Sequence, residues 1–73
     1  MLRTVGERAA HVIMAQATIK GIPIEKELET IGANRKIYRD WKKCGRNPQA
    51  YYLTQMALAG YDMMWILTGI ESK

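Results

Sequence analysis

The sequence predicts an all-α fold: a compact bundle of about five helices in a single domain, residues 1–73. Apolar residues recur at spacings of three and four, which is the period of one helix face, and no segment alternates apolar and polar residues as a half-buried strand does. A glycine closes each apolar segment, where helices commonly end: Gly21, Gly32, Gly45, Gly60 and Gly69. The hydrophobic fraction of 48% suits a folded chain, but 73 residues can enclose only a small core.

The first helix is predicted over residues 3–20, with Arg8 off its apolar stripe. That stripe consists of Val5, Ala9, Val12, Ile13 and Ile19. Pro23 opens a second helix, because the first helical position does not use the N–H that proline lacks. The apolar stripe of this second helix is Ile24, Leu28 and Ile31. Its three glutamates, Glu25, Glu27 and Glu29, are expected to face solvent.

A third helix is predicted from Asn34, whose side chain can cap the first turn, to Gly45. At 100° per residue, Ile37, Tyr38 and Trp41 fall on one side. The cations occupy the opposite side, its flank and the residue just past the helix: Arg35, Lys36, Arg39, Lys42, Lys43 and Arg46. Residues 34–46 therefore carry a net charge of +5, whereas the rest of the chain sums to −1.

Two further helices complete the predicted bundle. The pair Asn47-Pro48 predicts a fourth helix from about Pro48 to Ala59, with inward-facing Tyr52, Leu53, Met56 and Ala57. Asp62 is expected to cap a last helix over 63–68, in which the five apolar residues 63–67 cover every side. Since one core hides only one side of a helix, we expect a second copy of the chain to cover the rest; a modest exposed patch is the alternative.

The short glycine-containing turn between the second and third helices predicts a helix-turn-helix. In that motif the second helix of the pair enters the DNA major groove, and here this helix carries the concentrated positive charge. The sequence therefore predicts a protein that binds double-stranded DNA, with residues 34–44 as the recognition helix. Tyr38 and Trp41 would be its structural anchors.

Other classes of function find little support in the sequence. It has no Ser–His–Asp or Cys–His arrangement with supporting spacing and no glycine-rich phosphate loop, so we expect neither enzymatic activity nor a cofactor. Cys44 and His11 alone do not supply a metal-ligand set. A single cysteine suits a reducing compartment, and no apolar run approaches the roughly 20 residues of a membrane span. We expect a cytoplasmic protein that does not associate with membranes.

Two stretches carry a resemblance to a known family. The run from Ile31-Gly32 through Trp41-Lys42-Lys43 and Gly45 to Pro48 resembles the amino-terminal DNA-binding domain of bacteriophage repressors in the lambda-repressor-like superfamily. The run Gly60-Tyr61-Asp62, followed by residues 65–69, is similar to the last helix of one branch of those repressors. The resemblance implies a five-helix bundle that binds operator DNA, usually as a homodimer, in a bacterium or its prophage.

The resemblance also implies roles for individual positions. Base- and phosphate-facing places would be taken by Asn34, Arg35, Lys36, Arg39 and Asp40, and the two buried places by Tyr38 and Trp41. The carboxylate of Asp40 could accept a hydrogen bond from a cytosine amino group, or instead pair within the helix with Lys36 or Lys43.

An alternative function belongs to a different class. The chain could be a protein-interaction module, antirepressor-like or antitoxin-like, that keeps the fold and binds a partner protein through its apolar terminus. The +5 segment favours DNA, because a protein-binding descendant would have no reason to keep it.

Overall fold

A computed structural model describes residues 4–70 of the chain. These residues form five helices and no strand: α1 Val5–Lys20, α2 Ile24–Thr30, α3 Arg35–Cys44, α4 Ala50–Leu58 and α5 Met63–Thr68. Their radius of gyration is 11.0 Å, close to the roughly 11 Å of a folded chain of this length. The predicted all-α, compact, five-helix fold is confirmed.

Helix α1 is the element on which three of the other four helices pack. It begins with a reciprocal cap, in which the Thr4 hydroxyl accepts from the Glu7 amide and the Glu7 carboxylate accepts from the Thr4 amide, both at 3.0 Å. It ends at Gly21, which adopts the left-handed conformation. Helices α2, α3 and α5 all pack against it, so its inward face forms the centre of the molecule.

The core is built from two alanines and an isoleucine of α1 and from larger side chains of the surrounding elements. Its buried members are Ala9, Ala10, Ile13, Leu28, Ile31, Trp41, Met56, Tyr61 and Ile66. The prediction that Ile19 belongs to the apolar stripe is wrong, since this side chain is 76% exposed. Ala17 is the buried residue of that turn, and Ile19 lies about 200° around the helix from it.

Gly6 permits a close approach between α1 and the segment just after α3. A Cβ atom at this position would lie 1.9 Å from the carbonyl oxygen of Arg46, which is backbone and cannot move aside alone. The segment that leads from α3 to α4 is thereby held against the first turn of α1.

Helix α4 starts later than the sequence predicts. The expected start at Asn47-Pro48 is wrong: the helix begins at Ala50, and its N-cap, Gln49, makes no side-chain cap bond. Pro48 instead lies buried in the connection after α3. The expected inward position of Ala57 is also wrong, because only a narrow face centred on Met56 points inward and Ala57 lies outside it.

Helix α5 has an inner and an outer side. Asp62 caps it by accepting from the Trp65 amide at 3.2 Å, as predicted. Ile66 is fully buried, whereas Met64 is 55% and Leu67 47% exposed. The continuous apolar segment therefore contributes one side to the core and leaves another side in contact with solvent.

Two charged residues expected on the surface are buried. Arg8 is 8% exposed, and its Nε donates to the carbonyl oxygen of Ile66 at 2.8 Å, while Nη2 donates to that of Leu67 at 3.3 Å. These carbonyls lie in the last turn of α5, where a helix lacks its own donors, so a buried cation is stabilised there.

Glu27 is the second charged residue that is buried against expectation. It is 0% exposed rather than solvent-facing, and one carboxylate oxygen lies 2.8 Å from Nζ of Lys20. The other oxygen accepts from the hydroxyl of Tyr61. Both partners come from outside α2, and this explains why the local sequence of α2 does not reveal the burial.

Candidate nucleic-acid interface

The turn before α3 sets where the cationic helix starts. Gly32 has φ +72°, and a Cβ there would also lie 2.8 Å from the hydroxyl of Tyr51 in α4. Asn34 follows as the N-cap, its Oδ1 accepting from the amide of Ile37 at 3.0 Å. The helix ends at Gly45, which is left-handed and donates to the carbonyl of Asp40. The predicted start and end of this helix are confirmed.

One side of α3 is fixed by aromatic packing. Trp41 is 3% exposed and meets the ring of Tyr52 edge-on, with the centroids 5.4 Å apart. Tyr38 is only half-buried, with Nζ of Lys42 5.8 Å from its ring centroid. Burial raises the pKa of the Tyr38 hydroxyl, and nearby Arg35 partly offsets this. Tyr38 therefore stays neutral at physiological pH, at the boundary between the core and the cationic side.

The opposite side of α3 is exposed and positive. Every predicted cation there is solvent-exposed: Arg35, Lys36, Arg39, Lys42, Lys43 and, beyond the helix, Arg46. Four of them line one shallow groove of about 290 Å³ together with Tyr38: Arg35, Arg39, Lys42 and Lys43. We call this the cationic groove. It offers several positive side chains to one anionic ligand within a single helix length.

The remaining predicted site residues lie elsewhere. Arg46 and Asp40 line a second groove of about 250 Å³ between α3 and the start of α4, together with Asn47 and Gln49. Asn34 is exposed at the start of α3, and Lys36 is exposed but lines neither groove. The eight predicted residues therefore form a central group of four and a dispersed group of four.

Asp40 does not make the ion pair that the sequence suggested. Within residues 4–70, neither Lys36 nor Lys43 pairs with its carboxylate. The side chain is half-buried at the rim of the second groove. Its carboxylate is thus an available hydrogen-bond acceptor beside the cationic Arg46.

An ion pair that was not predicted joins α2 and α3. Nε of Arg35 lies 3.1 Å from Oε2 of Glu25, and both side chains are more than half exposed. Glu25 lies in the first turn of α2, ten residues before its partner, so no helical i,i+4 pattern marks the contact. Only the path of the chain through the turn at Gly32 brings the two together.

Other kinds of site are not evident in the part of the chain that the structure describes. No group of three or more histidine, cysteine, aspartate or glutamate residues among residues 4–70 could hold a metal ion. Within the same residues, no helix has the length and apolar character needed to cross a membrane.

Comparison with known proteins neither supports nor contradicts the resemblance to phage repressors: no protein-family model, no curated protein and no solved structure matches this chain.

Proposed function

We propose that this protein is a sequence-specific regulator that binds double-stranded DNA, with α2 and α3 acting as a helix-turn-helix and α3 entering the major groove. The observation that carries the proposal is the cationic groove. Four cations meet on the exposed side of a helix whose other side is held in the core by Trp41. A rigid helix with concentrated positive charge suits the width and the negative potential of a major groove.

The side chains divide into two roles by position. Arg35 and Arg39 lie in the first half of α3, which lies deepest when such a helix docks. Their guanidinium groups could each contact a guanine through two hydrogen bonds. Lys42, Lys43 and Arg46 lie near or beyond the end of the helix, where they would neutralise phosphates and release counterions.

We further propose that the regulator acts as a homodimer, of the phage-repressor kind, in the bacterial cytoplasm. The exposed apolar side chains of α5, Met64 and Leu67, support a second copy at that face. Two recognition helices related by a twofold axis would select a palindromic operator with half-sites about 34 Å apart.

A second candidate function rests on exposed apolar side chains of α4, of α5 and of the residues that follow α5. Leu58, Met64, Leu67 and Ile70 are 78%, 55%, 47% and 64% exposed. A protein-interaction module would use such side chains to bind a partner protein instead of a second copy. This alternative leaves the cationic groove without a role, so we place DNA binding first.

Titration of a random-sequence duplex at low and at moderate salt tests the proposal most directly. Affinity should fall steeply with salt, with a slope of about 0.9 per neutralised phosphate on a log–log plot. Selection from a random DNA pool should then return one preferred, palindromic sequence. Salt-independent or absent binding, with no sequence enriched, would reject DNA as the partner and favour the protein-interaction module.

A further inference from the structure

The ion pair between Glu25 and Arg35 involves the one cation of α3 that has an ion-pair partner among residues 4–70. It links the first turn of α2 to the first residue of α3. The two side chains are 54% and 62% exposed. An ion pair this exposed contributes little to stability, so its presence at the start of the recognition helix calls for another explanation.

The atoms in contact suggest what the pair does. The carboxylate of Glu25 lies beside Nε of Arg35 at 3.1 Å, so the four N–H bonds of the two terminal nitrogens are available. A guanidinium is planar, so a carboxylate held beside Nε favours some orientations of the plane in which the terminal nitrogens lie. A bidentate contact to the O6 and N7 atoms of guanine needs two donors in one plane.

We propose that Glu25 is a positioning residue that orients Arg35 toward a single guanine and so helps to determine operator specificity. The inference rests on the proposed function, DNA binding through α3, and adds a residue from α2 to the reading of bases. Without Glu25, Arg35 samples more rotamers and contacts phosphates as readily as base edges.

The charge of Glu25 also favours the preferred site, because it lowers the affinity for non-preferred DNA. An exposed carboxylate at this end of α2 repels the phosphate backbone unless Arg35 is well placed to offset it. Glu25 therefore strengthens binding to the preferred site and weakens binding to random sequence. The ratio of the two affinities is the quantity that it raises.

Glu29 provides a matched control. It lies one helical turn after Glu25 on α2, and the two glutamates line a third shallow groove, beside Asn34 and Arg35. It is exposed and pairs with no cation among residues 4–70. Glu29→Gln thus removes the same charge from the same surface without releasing Arg35.

The experiment compares Glu25→Gln, Glu29→Gln and the parent chain on the selected site, on that site with each base pair changed in turn, and on random duplex. Glu25→Gln should lower the ratio of preferred to random affinity by about fivefold to tenfold, the lower part of the range for one bidentate contact. Glu25→Gln should lose discrimination at one base pair of the site, and Arg35→Ala should lose it at that same base pair. Glu29→Gln should strengthen binding to all DNA by a similar small factor and leave the ratio unchanged.

The double variant Glu25→Gln/Arg35→Ala separates positioning from a general effect of charge. Its ratio should equal that of Arg35→Ala alone, because Glu25 changes the ratio of the two affinities only through Arg35. Equal ratios for Glu25→Gln and Glu29→Gln, or a loss at a different base pair, would overturn the inference while leaving DNA binding intact. A parent chain that binds no DNA would instead overturn the proposed function, and the inference with it.

Discussion

The hydroxyl of Tyr61 donates a hydrogen bond to the carboxylate of Glu27 inside the protein, and the other carboxylate oxygen lies 2.8 Å from Nζ of Lys20. Glu27 is 0% and Tyr61 7% exposed. The three residues join the end of α1, the first turn of α2 and the segment just before α5. A buried carboxylate with two partners is stable only while both remain, because an unpaired buried charge is costly.

Removal of the Tyr61 hydroxyl is expected to change the pH dependence of stability. Burial, then the hydrogen bond to Glu27, then its charge raise the pKa of Tyr61 above its ordinary value of about 10. The stability from this group is thus fully present below pH 10 and is lost as pH rises above it. Above pH 10, the free energy of unfolding should therefore fall less steeply for Tyr61→Phe than for the parent. The two slopes should differ by up to about 1.4 kcal/mol per pH unit.

Urea unfolding at several pH values measures this effect. At neutral pH, Tyr61→Phe should also lose about 1–3 kcal/mol, because one oxygen of Glu27 loses its donor. Tyr51→Phe, at a tyrosine that is 57% exposed, serves as the control. Parallel pH profiles for parent and Tyr61→Phe would contradict the expectation.

Gly6→Ala should destabilise the protein, although alanine is usually the better helix residue by about 0.5–1 kcal/mol. The new Cβ would lie 1.9 Å from the carbonyl oxygen of Arg46, so the backbone of one element must shift. Such overpacking typically costs about 1–3 kcal/mol. Chemical denaturation measures the change, with Thr18→Ala on the exposed side of α1 as the control. A gain in stability from Gly6→Ala would show that α1 and the segment after α3 are less closely packed.

Trp41→Ala should cost about 3–5 kcal/mol, as expected for a buried large aromatic. The free energy of unfolding of a domain this small is about 5 kcal/mol in total, so the variant should be largely unfolded at room temperature. Tyr38→Ala should cost less, because Tyr38 is only half-buried. Circular dichroism during heating distinguishes the two variants; a cooperative transition of Trp41→Ala near that of the parent would contradict its role as the anchor.

Arg39→Ala and Lys42→Ala should have different effects on DNA binding. Arg39 lies in the first half of α3, so its loss should cost about 1–3 kcal/mol on the preferred site and much less on random DNA. Lys42→Ala should weaken binding to both kinds of DNA by the same factor and reduce the salt slope by the contribution of about one phosphate. Competition binding with the selected site and random duplex measures both. Equal losses on both DNAs for both variants would make α3 a phosphate-binding surface that does not read bases.

Leu67→Glu should convert the proposed homodimer to a monomer. Leu67 is 47% exposed on the outer side of α5, where a carboxylate would be buried unpaired between two copies. Ile19→Glu, at a 76% exposed position of α1, should leave the association unchanged. Sedimentation at several concentrations gives the mass of each form. A monomeric parent at high concentration, bound to a single half-site, would exclude the homodimer.

Local signals account for most of the fold. Caps, glycine stops and helical spacing act over a few residues, so Asn34, Gly45 and Asp62 mark helix ends that the structure confirms. One local signal led to a wrong prediction, the expected start of the fourth helix. Asn47-Pro48 looks like a helix start, but Pro48 is buried in the connection between α3 and α4, and the helix begins at Ala50.

By itself, the sequence determined the number and order of the helices and the division of α3 into an aromatic side and a cationic side, because both follow from the helical period. Only the tertiary structure decided which charged residues have partners. Arg8 meets the last carbonyls of α5, Glu27 meets Lys20 and Tyr61, and Arg35 meets Glu25. These contacts depend on which helix ends come together in space, and no pattern within one helix encodes that.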